Sequence, residues 1–255
     1  RTALVTGAAT GIGAATATRF LREGWNVVIN HLDGQQTEAY AVAAHATAPG
    51  QHALCVVGDV TRDEDCVRMV AAAVDAFGPL HALVNAAGIS TMIAPSRLHD
   101  VNADDFHRIY AVNTIGPFQM TRAAADALKA GSTDAVRSAI VNISSRAALT
   151  GHGSSLPYAC SKAAVNALTM STARTLAPQV RVNAVCPTLV EQGFVERLAP
   201  ESFADRAAHQ KSVSPLQRLG HPDEVAEAIF WLANSASMMT GGIVELDFGM
   251  HLNAV

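Results

Sequence analysis

No two cysteines of this chain stand in a C-x-x-C, and none of the four (Cys55, Cys66, Cys160, Cys186) is spaced from a histidine as a zinc site requires. The expectation is reduced, mostly buried thiols in a cytoplasmic protein. The ten histidines are scattered with no H-E-x-x-H, so no metal is expected. Aromatic residues make up only 5%, too few for base-stacking platforms. The net charge is −4 and no polybasic run occurs, so neither nucleic acid nor an anionic membrane is an expected partner. No apolar run reaches membrane-span length. No signal peptide is visible ahead of "RTALVTG", which reads as strand and turn. Internal repeats, low-complexity blocks and long Pro/Ser linkers are also missing.

What remains is apolar and regular. Of 255 residues, 49% are apolar and 16% charged, which suits one large α/β domain spanning 1–255. Short apolar runs fall at 2–6, 26–30, 53–57, 81–85, 139–144, 180–185 and 242–247. Most are continuous, as in strands buried on both faces of a parallel sheet. Ala-rich stretches of helical length lie between them, at about 11–24, 34–48, 63–77, 102–130, 157–177 and 222–234. The alternation predicts a Rossmann-type, doubly wound parallel sheet of about seven strands, with helices on both faces. From about 187 to 215 the rhythm breaks into polar, irregular sequence. An insertion just after a strand is a candidate lid over a site at the strands' carboxyl ends.

"VTGAATGIGAATATRF" places Gly7, Gly11 and Gly13 between the first strand and the first helix. Glycines there permit a tight turn and let backbone approach a pyrophosphate, while the helix N-terminus offers free N–H groups. The spacing is G-x-x-x-G-x-G, neither the G-x-G-x-x-G fingerprint nor a P-loop. An acid at the end of the second strand would hold the ribose hydroxyls of NAD. Here "VVINHLDG" puts His31 at that place and Asp33 two residues on, and no Arg or Lys is nearby in the sequence. A missing acid tolerates a 2′-phosphate, which His31 could contact, so the reading leans to NADP over NAD. Asp59, in "GDV", is either a partner for the adenine amino group or a turn aspartate.

"PYACSK" places Tyr158 and Lys162 four apart on one face of a predicted helix, with Pro157 in its first turn. A phenol with a pKa near 10 is a poor base at neutral pH. A nearby ammonium favours the phenolate, and the tyrosine can then exchange a proton with an alcohol or ketone while hydride moves to or from a nicotinamide.

Taken in order, these residues resemble the short-chain dehydrogenase/reductase family, in its short single-domain branch. The resemblance covers nearly the whole chain. T-G-x-x-x-G-x-G appears as Thr6 to Gly13, N-x-A-G as Asn85 to Gly88, and the helix-four asparagine as Asn113 in "YAVNTIGPF". Ser145, in "NISS", stands thirteen before Tyr158, and Ser161 precedes Lys162. The resemblance implies that Tyr158 is the general acid/base and that Ser145 hydrogen-bonds the substrate oxygen. Lys162 would bind the nicotinamide ribose and depress the Tyr158 pKa, and Asn113 would hold a proton-relaying water behind it. The cofactor is expected along Gly7, Thr10, Gly11, Ile12 and Gly13, then His31, Asp59 and Val60. It continues past Asn85, Ala86 and Gly88 to Tyr158, Lys162, Pro187 and Val190.

Three positions depart from the family pattern. Ala86 replaces a second asparagine, Pro187-Thr188 replaces Pro-Gly, and a threonine that would meet the nicotinamide carboxamide is replaced near Gln192. None of these touches the proton-transfer residues. Substrate-facing candidates are Ser90, Ser145, Arg146, His152, Leu189 and Phe194; Arg146 reads either as an anion receptor or as half of a structural ion pair. The family's tetramers imply that segments 102–130 and 157–177 pack between subunits of a homotetramer. The function implied is NAD(P)-dependent interconversion of a secondary alcohol and a ketone. The alternatives are a 3-oxoacyl-[acyl-carrier-protein] reductase, whose usual segment after the N-x-A-G motif "ISTMIAPSRLHDV" does not resemble, and a catalytically silent dinucleotide-binding regulator. An epimerase of the extended branch would need a further substrate domain.

Overall fold

The computed structural model describes residues 1–94 and 96–253. Seven strands, β1 (Thr2–Val5), β2 (Asn26–His31), β3 (Ala53–Val57), β4 (Ala82–Asn85), β5 (Ser138–Ile143), β6 (Val180–Pro187) and β7 (Ile243–Leu246), form one sheet. Its order is β3-β2-β1-β4-β5-β6-β7, and all neighbours are parallel. The continuous apolar runs become strands as expected, because helices cover both faces and each strand is buried twice. The chain order reverses between β1 and β4, and a crevice opens beyond the carboxyl ends of strands at such a point.

One face is covered by α1 (Gly11–Arg22), α2 (Gln36–Ala43) and α10 (Pro222–Asn234). Phe20, Trp25 and Phe230 lock it with edge-on ring contacts at 5.0–6.1 Å. The other face carries α3 (Asp63–Phe77), α4 (Ala103–Tyr110), α5 (Gly116–Gly131) and α7 (Leu156–Leu176). Leu4, Val28, Met69, Leu83, Met120 and Ile140 fill the layer between these helices and the sheet.

The long helix expected over 102–130 is split. Between α4 and α5, residues Ala111–Ile115 wind as one π-helical turn, and Asn113 lies inside it, fully buried. Such turns occur often at functional sites, because an inserted residue re-aims the groups around it. A short helix, α6 (Ala147–Thr150), and a 3₁₀ turn at Leu98–Asp100 are not expected from the sequence. The polar segment after β6 folds into α8 (Phe194–Leu198) and α9 (Pro200–Val213). It is tied back to the sheet's end by Gln210, whose buried amide accepts from the Thr188 hydroxyl at 2.7 Å and the Leu189 N–H at 3.0 Å, and donates to the Leu189 carbonyl at 3.0 Å.

Candidate active site

A cavity of about 1130 Å³ lies along the carboxyl ends of the strands. One end is walled by the glycine turn. Gly7 and Gly11 both adopt positive φ (59° and 57°), a region that strains any residue with a Cβ. A Cβ on Gly7 would stand 2.8 Å from the Ala87 Cα, and one on Gly13 would collide with the Gly7 carbonyl. The glycines therefore let three backbone segments meet. Thr6, the first residue of the glycine motif, and Asn30, which stands outside it, fasten that meeting. The Thr6 hydroxyl accepts from the N–H groups of Ala86 (3.0 Å) and Ala87 (3.1 Å). The buried Asn30 amide accepts from Gly7 N–H at 3.1 Å and donates to the Gly58 carbonyl at 2.9 Å. Both residues are polar at the ends of otherwise apolar runs, and that is the signal by which sequence could find them. The first N–H groups of α1 have no intrahelical acceptor and point into this end.

Thr10, Gly11, Ile12, Gly13, Asp59, Val60, Ala86, Gly88, Pro187 and Val190 also line the cavity. The Asp59 carboxylate accepts from the Thr61 N–H at 2.9 Å, so it serves a turn while bordering the cavity. His31 does not reach the cavity. Side chains alternate along β2; Asn30 faces the glycine turn, so His31 faces away, buried, with its Nδ1 2.9 Å from the Leu32 carbonyl. Leu32 and Gln35 line the wall in its place. Asn85 also lies behind the wall, its amide donating to Asn142 at 2.8 Å, which in turn donates to Thr169 at 2.9 Å.

The other end brings together Ser145, Tyr158 and Lys162. Ser155 caps α7 and Pro157 sits in its first turn, so the helix begins where Tyr158 and Lys162 must point into the cavity. Both side chains are almost fully buried and line the wall, together with Ser145 from the end of β5. The Lys162 ammonium donates to the Ile143 carbonyl at 2.8 Å and lies 5.7 Å from the centre of the Tyr158 ring. Burial pushes the Tyr158 phenol up to about 12, while the Ser145 hydroxyl pulls it the other way. Burial likewise brings the Lys162 ammonium down to about 8. Burial is the leading cause of both shifts, and Lys162 is not among the causes of the Tyr158 shift.

Asn113 holds this end together. Its amide accepts from the Ile89 N–H, donates to the Ile89 carbonyl (both 2.9 Å) and reaches the Ser161 hydroxyl at 3.0 Å. Ser161 in turn donates to the Tyr158 carbonyl at 2.8 Å. The π turn thereby fixes both the N-x-A-G loop and the start of α7. Gly88, the last residue of that motif, packs against Asn113 and Lys162: a Cβ there would lie 3.5 Å from the Asn113 Oδ1 and 3.6 Å from the Lys162 Nζ.

Of the substrate-side candidates, Ser145, Arg146, His152, Leu189 and Phe194 line the cavity. Phe194 meets the Tyr158 ring edge-on at 5.6 Å. Ser90 does not reach the wall; it sits behind Ser154, its hydroxyl 2.5 Å from the Ser154 hydroxyl. Arg146 forms an ion pair, its Nε 3.4 Å from the buried Asp247, whose carboxylate also accepts from the His251 N–H at 2.8 Å. The segment after β6 brings further polar groups that no motif signals: Arg197, Asp205, Arg206 and His209. Arg197, distant in the sequence, comes near the glycine loop in space, since its guanidinium nitrogens lie 3.8 Å from where a Gly11 Cβ would be.

Comparison with known proteins agrees with this geometry. The family model described as enoyl-(acyl carrier protein) reductase matches residues 7–251. The ketoacyl reductase 2 assigned to the granaticin polyketide synthase of Streptomyces violaceoruber is 37% identical over 98% of this chain and 96% of its own. A cis-4-hydroxycyclohexanecarboxylate dehydrogenase of Sinomonas cyclohexanicum is 38% identical over the same shares. A crystal structure described as a short-chain dehydrogenase/reductase from Burkholderia xenovorans superposes with a TM-score of 0.91 at 37% identity, covering 98% of each chain. The chain belongs to the short-chain dehydrogenase/reductase family.

Proposed function

We propose that this protein is an NAD(P)-dependent oxidoreductase interconverting a secondary alcohol and a ketone, with Tyr158 exchanging the proton. The observation that carries the reading is the meeting of Ser145, Tyr158 and Lys162 in the wall of the cavity that the glycine turn closes at its other end. The cavity suits a dinucleotide in shape and chemistry: free N–H groups of α1 and backbone bared by glycine at one end, buried proton donors at the other. The dinucleotide, when bound, supplies or accepts the hydride.

In this reading Ser145 donates to the substrate oxygen and steadies it as charge develops. Tyr158 gives that oxygen its proton in reduction and takes it back in oxidation. Lys162, held by the Ile143 carbonyl, binds the nicotinamide ribose and keeps a positive charge beside the phenol. Asn113 keeps both in register, and behind it the relay water would stand. A phenol at about 12 is protonated at neutral pH, the state that reduces a ketone. Segment 187–215 acts as the lid, with Leu189 and Phe194 against the substrate.

NADP rather than NAD rests on the missing acid at the end of β2. A homotetramer is supported by the small apolar face that α7 exposes (Ala163, Ala167, Met170) and by exposed Ile115 and Phe118 beside it. The four free thiols fit a cytoplasmic location. A screen of ketones and secondary alcohols with each dinucleotide, followed at the nicotinamide absorbance, tests the reading. Turnover of a carbonyl or alcohol is expected; dinucleotide binding with no turnover across the screen would favour a silent regulator.

A further inference from the structure

Arg197 is placed in a way that the site so far described leaves unused. It sits on α8, exposed, and among the described residues it has no ion-pair partner. Its two terminal nitrogens lie at the same distance, 3.8 Å, from where a Cβ of Gly11 would stand. The fork of the guanidinium therefore faces the glycine turn squarely. It does so beside the N-terminus of α1, which is itself a positive dipole end. Two positive features brought together across a cavity repel unless an anion lies between them.

The arginine is held there by its own segment. Its Nη1 donates to the Gln192 carbonyl at 3.0 Å, and the Gln192 N–H donates to the Glu196 carboxylate at 2.6 Å. Gln192 takes a left-handed backbone (φ 55°), a conformation a side chain rarely adopts without support. The two bonds to α8 supply that support and turn its carbonyl toward Arg197. The remaining guanidinium N–H groups are left for a ligand, and a planar fork matches phosphate oxygens.

We propose that Arg197 is a lid-borne clamp on a phosphate of the dinucleotide, closing over it from the side opposite α1. The inference rests on the dinucleotide reading given above. The phosphate is the diphosphate that the glycine turn receives or the 2′-phosphate of the adenine ribose. Either way, cofactor charge and lid closure are coupled through one side chain.

Binding of NADH and NADPH to the protein, followed by fluorescence, tests this with Arg197→Ala and Arg197→Gln at several salt concentrations. Gln keeps an N–H donor for the Gln192 carbonyl but removes the charge. Both variants are expected to weaken binding about tenfold and to flatten its salt dependence. An equal loss for both cofactors assigns the diphosphate; a loss confined to NADPH assigns the 2′-phosphate. Wild-type affinity and salt dependence in both variants would overturn the clamp, as would full recovery in Arg197→Gln, which would make the arginine a purely structural tie. If the wild-type protein binds neither dinucleotide, the parent reading fails instead.

Discussion

At the scale of single residues, the site is a set of buried polar groups whose charged states are disfavoured. Lys162 illustrates the consequence. Its folded pKa, near 8, lies below the ordinary 10.5, so between those values the unfolded chain binds the proton and the folded chain does not. Stability from this group therefore rises as pH climbs from about 8 to 10.5, and at neutral pH the buried charge is a full liability. Lys162→Met is expected to abolish turnover yet to raise unfolding stability at pH 7, by an amount on the order of 2 kcal/mol less the lost bond to Ile143. That gain should vanish by about pH 10.5 in denaturant titrations; a variant less stable at every pH would show that the ammonium is well solvated. Tyr158 has the opposite sign. With its pKa raised from 10 to about 12, stability from the phenol is present below pH 10 and lost as pH rises through about 12. The same shift predicts that alcohol oxidation accelerates from neutral to alkaline pH while ketone reduction does not, because only oxidation needs the phenolate. Parallel rate profiles in the two directions would contradict that assignment.

At the scale of elements, the chain's local signals and its tertiary ties divide the work. The strands are legible in the sequence because double burial writes continuous apolar runs, and α10 is legible to the residue because Pro222 opens it. Tyr158 and Lys162 stand out in the sequence because they are four apart on α7, the glycine turn because its glycines stand together between a strand and a helix, and Ser145 only through the family resemblance. The π turn is not, since Asn113 reads as helix by pattern and only its amide bonds to Ile89 and Ser161 mark the distortion. His31 is misplaced by a sequence reading because strand alternation, not nearness in sequence, decides which side chain meets the cavity. Arg197 escapes such a reading because no local pattern links it to Gly11, which lies far away in the chain. The glycine turn gives the sharpest prediction here. Gly13→Ala drives a Cβ into the Gly7 carbonyl, and backbone cannot yield as a flexible side chain does. It should cost roughly 1–3 kcal/mol of stability and most of the dinucleotide affinity. Normal binding by the Gly13→Ala variant would mean the turn can open. Phe20→Ala, at the centre of the aromatic trio beneath α1, should cost about 3–5 kcal/mol without altering the site's polar geometry.

At the scale of the whole molecule, the parallel sheet places the glycine turn at one end of a crevice and the Ser145, Tyr158 and Lys162 side chains at the other. The long cavity between them is what a dinucleotide lying against its substrate requires. The substrate is harder to read, because the cavity walls beyond Tyr158 come from the segment after β6 and from Arg146, which is already paired with Asp247. The family's chemistry thus stands on the rigid sheet and its selectivity on the segments laid over it. We propose that one buried phenol moves the proton while Ser145 steadies the substrate oxygen and Lys162 holds a positive charge beside the ring. Tyr158→Phe removes a single oxygen from a ring that is already packed against Phe194. With a substrate identified by the screen, turnover and dinucleotide affinity measured side by side for the wild-type and Tyr158→Phe proteins test it most directly. Turnover is expected to fall by at least about a hundredfold, with dinucleotide affinity within about twofold of wild type. Turnover retained in the phenylalanine variant would contradict it.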